Sequence, residues 1–282
     1  MSAVGPLLSE FRKKSRLSQL ELSLLADVSS RHISFIETGR TQPSRAMLMR
    51  LADVLNLPHK DSNLLLHSGG YAAAYSELQL DSSELEPVRH ALGLILDNHN
   101  PYPALVMDGD YNVVMANSTQ QVLLTRLLKP GQELPAGLNV LEAVFSAAAL
   151  RPVIVNWDTV ASHLLRRLRK QVLAFGKPSH TALLARLESM SPPPDWQQPK
   201  ESQHDGPMLT VDFQLEGQIL STFTTLSQFG SALDIGIEEL MIESYFPADN
   251  ASRKFFEALG NSQSDLVCRG LLFDELGLGH DK

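Results

Sequence analysis

Ser30, Arg31, Ser34 and Phe35 fall at spacings that put them together on one face of a helix, and their chemistry is that of reading base edges. A guanidinium grips guanine through two parallel hydrogen bonds, so Arg31 is the candidate base reader of the four. Such a helix needs an apolar opposite face, and Ile33 and Ile36, with Val28 just before them, supply it. Ser29 or Ser30 can cap its start, and Gly39 closes it after Glu37. A shorter helix precedes it: Ser18 with Glu21 makes a capping box ahead of Leu22, Leu25 and Ala26, and Asp27-Val28-Ser29 breaks the chain between the two. Two short helices so spaced are what a DNA-reading helix-turn-helix requires.

The flanking segments complete a small helical domain. Val4, Leu7, Leu8 and Phe11 predict a first helix ending near Ser15. Ser44 caps a fourth, with Met47, Leu48, Leu51, Ala52 and Leu55 on one face and Pro58 at its end; a fifth, carrying Leu64, Leu65 and Leu66, runs to Gly69-Gly70. The same periodicities describe an ordinary helical bundle with no DNA partner, but periodicity alone does not place Gln, Arg and Gly at these joints. Charge is partitioned accordingly. The 282 residues carry a net charge of −8, yet residues 1–70 hold nine Lys/Arg against six Asp/Glu, and the remainder fifteen against twenty-six. Only the first domain suits a polyanion, and its modest excess implies that useful binding needs two copies on a two-fold site.

Residues from about Leu7 to Leu57 resemble the XRE/Cro-type helix-turn-helix family, at Ser18-Gln19, Val28-Ser29, Ile33-Ser34, Ile36-Glu37, Gly39-Arg40 and Pro43-Ser44. The resemblance implies phosphate contacts from Gln19, Arg40 and Arg45, base contacts from the face of Ser30, Arg31 and Phe35, and a pairing of Arg12 with Glu37. Asp27 stands where this family often has Gly, and Ser23 where Ala is usual; Asp tolerates a left-handed backbone better than most residues, at some cost in stability.

Length leaves room for a second core beyond the Tyr71–Ser83 connector. Leu85, Val88, Leu92, Ile95 and Leu96 predict a helix ending near Asn100-Pro101. Ala104–Met107 and Tyr111–Met115 read as strands joined by Asp108-Gly109-Asp110. Helices are expected over Ser118–Lys129, Val140–Ala148, Asp158–Phe175 and Thr181–Met190, then a Pro-rich loop over Ser191–Pro207. Leu209, Val211, Phe213 and Leu215 alternate with polar residues as in a half-buried strand, Glu216-Gly217 turns the chain into Gln218–Leu226, and Ile237–Tyr245 is the last strand. Asp249 or Asn250 can cap a closing helix through Phe255, Phe256 and Leu259.

Pro101-Tyr102-Pro103 with Asn117, Asn156-Trp157-Asp158, and Glu238-Glu239-Leu240 through Ile242–Asp249 resemble the MmyB-type ligand-binding domain, over roughly residues 85–258. Together with the helices and strands read above, that resemblance gives a multidomain chain: an all-α five-helix helix-turn-helix domain at 1–70, a connector at 71–83, an α+β PAS-like domain with a five-stranded antiparallel sheet at 84–260, and a tail at 261–282. It also implies a transcription regulator that senses a small apolar, fatty-acid-like ligand. The alternative keeps the DNA contact and makes the second domain a platform for dimerisation or protein docking.

Tyr102, Met107, Asn117, Phe145, Trp157, Phe213, Phe223 and Tyr245 are the candidate pocket residues, each with a core or capping role as its rival; Asn117 and Asn156 both precede helices. The run Arg166-Arg167-Leu168-Arg169-Lys170 reads as a solvated helix face beside a buried stripe of Val160, Leu164, Leu165, Leu168 and Val172. The nine His lack metal-ligand spacing, and no P-loop, dinucleotide glycine motif or nucleophile elbow is present, so neither a metal, a cofactor nor an enzyme is expected. His59 and His67 are expected to be solvated. A single Cys, Cys268, and no apolar run approaching the roughly 20 residues of a membrane span fit a cytoplasmic homodimer acting on an operator.

Overall fold

Serine caps start three of the first five helices, α1 (Val4–Lys14), α2 (Gln19–Leu25), α3 (Ser30–Glu37), α4 (Arg45–Val54) and α5 (His59–Ser68). Ser18, Ser29 and Ser44 each accept the backbone N–H three residues ahead, at 3.1, 3.2 and 3.2 Å. Glu21 completes the box on α2 by accepting the Ser18 N–H at 2.7 Å. Between α2 and α3 Asp27 takes φ +50°, the left-handed turn that reorients the chain. Leu8, Leu22, Ile33, Leu48, Leu51 and Leu65 are fully excluded from solvent. Each such side chain stabilises the unit by about 1.5–3 kcal/mol relative to its exposed state.

The computed structural model describes residues 4–78, 80–128, 137–198, 208–230, 232 and 234–267. Its contacts divide the chain into two units. One is the chain through Leu85 together with Phe229–Glu238; the other is Glu86–Gln228 with the described residues from Glu239 on. The helix that starts at Ser118 stops at Leu127 rather than Lys129, because Leu128 turns extended at φ −82°, ψ 154°; the later part of the Pro-rich loop, Cys268 and most of the tail lie outside the described residues.

Further along the chain come α6 (Glu86–His99), β1 (Ala104–Met107), β2 (Val113–Ala116), α7 (Ser118–Leu127), α8 (Val140–Phe145), α9 (Trp157–Phe175), α10 (Pro178–Ser189), β3 (Val211–Leu215) and β4 (Gln218–Ser227). A short α11 (Ile235–Glu238) then leads to β5 (Met241–Pro247) and α12 (Asn250–Val267). The strands form one antiparallel sheet in the order β2-β1-β5-β4-β3. Glu216 and Gly217, at φ +49° and +80°, make the tight turn between β3 and β4. Asp249 caps α12 by accepting the Ser252 N–H at 2.7 Å. Phe145, Phe256, Leu165 and Leu168 are buried in the core of this unit.

Several expectations need correction. β2 starts at Val113 rather than Tyr111, because the Asp108 carboxylate accepts both the Asp110 and Asn112 N–H groups, at 2.8 and 2.9 Å, and holds Tyr111 inside the turn. The last strand starts at Met241 rather than Ile237. Asp234 accepts the Gly236 N–H on its carboxylate and the Glu238 N–H on its carbonyl, which winds the preceding residues into α11. Leu25 and Ile95 are exposed, at 60% and 41%. On α2 the inner face instead takes Ser23, whose hydroxyl is satisfied by the Leu20 carbonyl at 2.7 Å; on α6 the buried stripe narrows to Leu92 and Leu96. The helices α8 and α10 run over Val140–Phe145 and Pro178–Ser189, the latter with Pro178 in its first turn, where a missing N–H costs nothing.

Candidate nucleic-acid interface and ligand cavity

The outer face of α3 carries Ser30 and Arg31 exposed and Ser34 and Phe35 half-buried. The Phe35 ring is a shared platform: the Arg31 guanidinium lies 5.1 Å from its centroid and that of Arg40 5.7 Å. Arg45 is exposed on the first turn of α4. Gln19 is engaged internally, its amide donating to Glu37 at 2.8 Å. Glu37 also receives Arg12 on both oxygens, at 2.6 and 2.9 Å, while Arg12 donates a further bond to the Leu17 carbonyl at 2.8 Å. Burial pushes the Glu37 carboxyl up, but hydrogen bonds from Arg12 and Gln19 and the Arg12 charge outweigh it, so it sits below the ordinary value of 4.5. This network ties α1, α2 and the end of α3 into one body and so fixes the face that Arg31 presents.

The second unit contains a cavity of about 350 Å³ between its sheet and α9. That is within the size range of small-molecule sites, about 300–1,000 Å³. From the sheet come Met107, Phe213, Phe223 and Tyr245; from the helices, Leu141, Val144, Val160 and Leu164. Of the candidate pocket residues these include four: Met107, Phe213, Phe223 and Tyr245. The other four have structural work elsewhere. Asn117 caps α7 and is buried, accepting the Gln120 and Ala104 N–H groups at 2.9 and 3.0 Å and donating to the Tyr102 carbonyl at 2.8 Å. Trp157 donates its indole N–H to the Val144 carbonyl at 2.9 Å, with the Arg151 guanidinium 3.8 Å above its ring. Phe145 packs edge-on against Trp157, and Tyr102 edge-on against Phe256. Asn156 makes no cap bond; it pins the start of β3, donating to the Thr210 carbonyl and accepting the Asp212 N–H.

Polar groups in the cavity wall were not foreseen. Glu243, Thr224, Arg167 and His163 all contribute to the lining. The Tyr245 hydroxyl donates to Glu243 at 3.3 Å. Burial raises the Glu243 carboxyl above its ordinary value, against the opposing effects of hydrogen bonds from Thr224 and Tyr245 and of the Arg167 charge. Tyr245 is raised well above its own ordinary value by burial and by the neighbouring Glu243.

Arg167 corrects the expectation of an entirely solvated basic face. Val160, Leu164 and Arg167 are spaced by four and three residues, so they share one face of α9, and that face looks onto the cavity. Arg166 is also engaged, donating to the Trp196 carbonyl at 3.0 Å, which leaves Arg169 and Lys170 as the exposed cations of the run. The spacing held the signal; the charge masked it.

Among the described residues no group of three or more His, Cys, Asp or Glu is placed to hold a metal. Nor, among them, is any helix long and apolar enough to cross a membrane. Residues 88–259 match the family described as "MmyB-like transcription regulator ligand binding domain".

The chain belongs to the MmyB-like transcription regulators.

Residues 8–61 of this MmyB-like regulator match a helix-turn-helix family, the segment that contains α2 and α3. Over 85 residues it is 34% identical to RghRB of Bacillus subtilis (strain 168), an uncharacterized HTH-type transcriptional regulator; that alignment covers 30% of this chain and 59% of the relative. Two solved structures are distantly similar. The PAS domain from Bordetella pertussis BvgS gives a TM-score of 0.29 at 11% identity, covering 64% of this chain and 99% of that one. An RNA-binding Light-Oxygen-Voltage receptor gives 0.26 at 12% identity, covering 93% and 66%. Neither likeness is close enough to bear on function.

Proposed function

We propose that this MmyB-like regulator binds double-stranded DNA as a homodimer, with α3 of each copy in a major groove, and that a small fatty-acid-like molecule in the cavity alters that binding. The observation that carries the reading is the pairing of two sites in one chain of this family. One is the Arg31–Phe35–Arg40 face; the other is a cavity with mostly apolar walls and a few polar groups. Such a cavity suits a hydrocarbon chain, and a guanidinium is the polar group best matched to a carboxylate head, so Arg167 is assigned to the head group. The whole effect rests on linkage: the ligand acts on DNA only through unequal affinity for two conformations of the protein.

Two measurements on the full chain test this. Fluorescence anisotropy should find a salt-sensitive preference for duplex from beside its own gene over random duplex; equal affinity for both removes the regulator reading. Native mass spectrometry and thermal melting with dodecanoate should find a stoichiometric complex and a raised melting temperature. Arg167→Ala should lose the preference for dodecanoate over dodecanol. Absence of binding and of stabilisation by either would favour a second unit that serves dimerisation or protein docking.

A further inference from the structure

The segment between β4 and β5 falls inside the ligand-binding family match, yet its contacts belong to the unit that contains the helix-turn-helix. It is held there by a set of bonds. Asp234, 5% exposed, accepts the Ser76 hydroxyl at 2.6 Å and the Leu78 N–H at 3.2 Å on one carboxylate oxygen. Its other oxygen accepts the Gly236 N–H at 2.8 Å, and the Ile235 N–H donates to the Ser76 carbonyl at 2.9 Å. Ile235 is itself buried at 2% exposed. Gly236 is required by close approach, since a Cβ there would lie 2.7 Å from the Leu78 carbonyl oxygen.

The far end of the segment is anchored on α5. Glu238 accepts the N–H of His59, the first residue of α5, at 2.9 Å, and lies 3.4 Å from its Nδ1. The His59 ring stacks on Tyr75 at 3.8 Å. Asn63 of α5 in turn fixes the Tyr75 backbone, donating to its carbonyl at 2.7 Å and accepting its N–H at 3.1 Å. A buried carboxylate with several donors is costly to release singly, so this clasp holds or opens as a unit.

Its covalent neighbours are cavity-lining residues. Leu226 lies three residues before Phe229, and Glu243 five residues after Glu238. β4 and β5 together supply Phe223, Thr224, Leu226, Glu243 and Tyr245 to the lining.

We propose that Asp234–Glu238 is the coupling element of this regulator: a molecule in the cavity displaces β4 and β5, and the clasp on Ser76, Leu78 and His59 carries that displacement to the helix-turn-helix unit. This rests on the ligand reading above. It names the path by which occupancy is felt.

The test uses the full chain with dodecanoate as probe, and two clasp variants. Gly236→Ala forces the segment off the Leu78 carbonyl; Ser76→Ala removes only the 2.6 Å bond and serves where the first variant fails to fold. In the unaltered chain saturating dodecanoate should change the DNA Kd by roughly fivefold or more. In the variants that ratio should fall towards one, while dodecanoate affinity and probe-free DNA affinity stay within about twofold, below the size of a coupling effect. An unchanged ratio in both variants overturns the clasp.

A second arm needs no ligand. Leu164→Phe places extra volume in the cavity and should change hydrogen exchange at the Leu78 and Ile235 amides by roughly fivefold or more; unchanged exchange also overturns the proposal. If dodecanoate fails to bind while Leu164→Phe does change that exchange, the fatty-acid reading falls and the clasp stands.

Discussion

A guanidinium laid over an aromatic ring keeps its N–H groups pointing outward in its own plane, and at Arg31 that leaves the fork free for a base edge. Arg31→Ala should therefore reduce discrimination between operator and base-substituted duplex by about 1–3 kcal/mol, measured by competition binding. An equal loss on every duplex would reassign Arg31 to phosphate. Arg12 and Glu37 are a different case, a nearly buried pair with side chains 10% and 6% exposed. Glu37→Ala leaves Arg12 uncompensated and should destabilise the first unit by roughly 3 kcal/mol in denaturant unfolding. The sign with pH follows from the lowered Glu37 value: its stabilisation is complete above 4.5 and is lost as pH falls through the lower folded-state value. A difference between wild type and Glu37→Ala that persisted unchanged to strongly acid pH would remove the charged pairing from the account.

At the scale of elements, the starts of α2, α3 and α4 were legible because each is set by a hydroxyl and an N–H three residues apart. The α2–α3 turn was legible because Asp tolerates left-handed backbone better than most residues. Asp27 sits at φ +50°, and Asp27→Val should cost roughly 1–2 kcal/mol, since a β-branched residue is disfavoured in left-handed backbone. Asp27→Gly should be neutral or stabilising; thermal melts of the two variants check the contrast. The start of β5 was not legible. Ile237 continues the apolar alternation, but the Asp234 cap winds residues 235–238 into a helical turn, and local hydrogen bonding overrides the period-two pattern. Arg167 was misread for a related reason: a basic run was assigned to solvent as a block, although the helical period places Arg167 with Val160 and Leu164.

At the scale of the whole molecule, the homodimer proposed above predicts a two-copy complex on DNA. The first 70 residues have a net charge of only +3, so one α3 on one half-site should bind weakly. A duplex with two half-sites about 34–36 Å apart should bind two chains far more tightly than a duplex with one. Sedimentation with labelled DNA would count them, and a single chain at full affinity would remove the dimer. Sequence alone determined most of what neighbours along the chain can settle: the serine caps, the turns at Asp27 and Glu216-Gly217, and the type of each main helix and strand, because each depends on groups within about four residues of one another. The tertiary structure alone decided which distant groups meet. It turned Asn117 from a pocket candidate into the knot that joins β1, α6 and α7, and brought Arg167 to the same cavity as Glu243. It also set Asp234 against Ser76, a pair 158 residues apart. Those partnerships are fixed by how the elements pack, and no local period or propensity encodes which buried donor will find which acceptor.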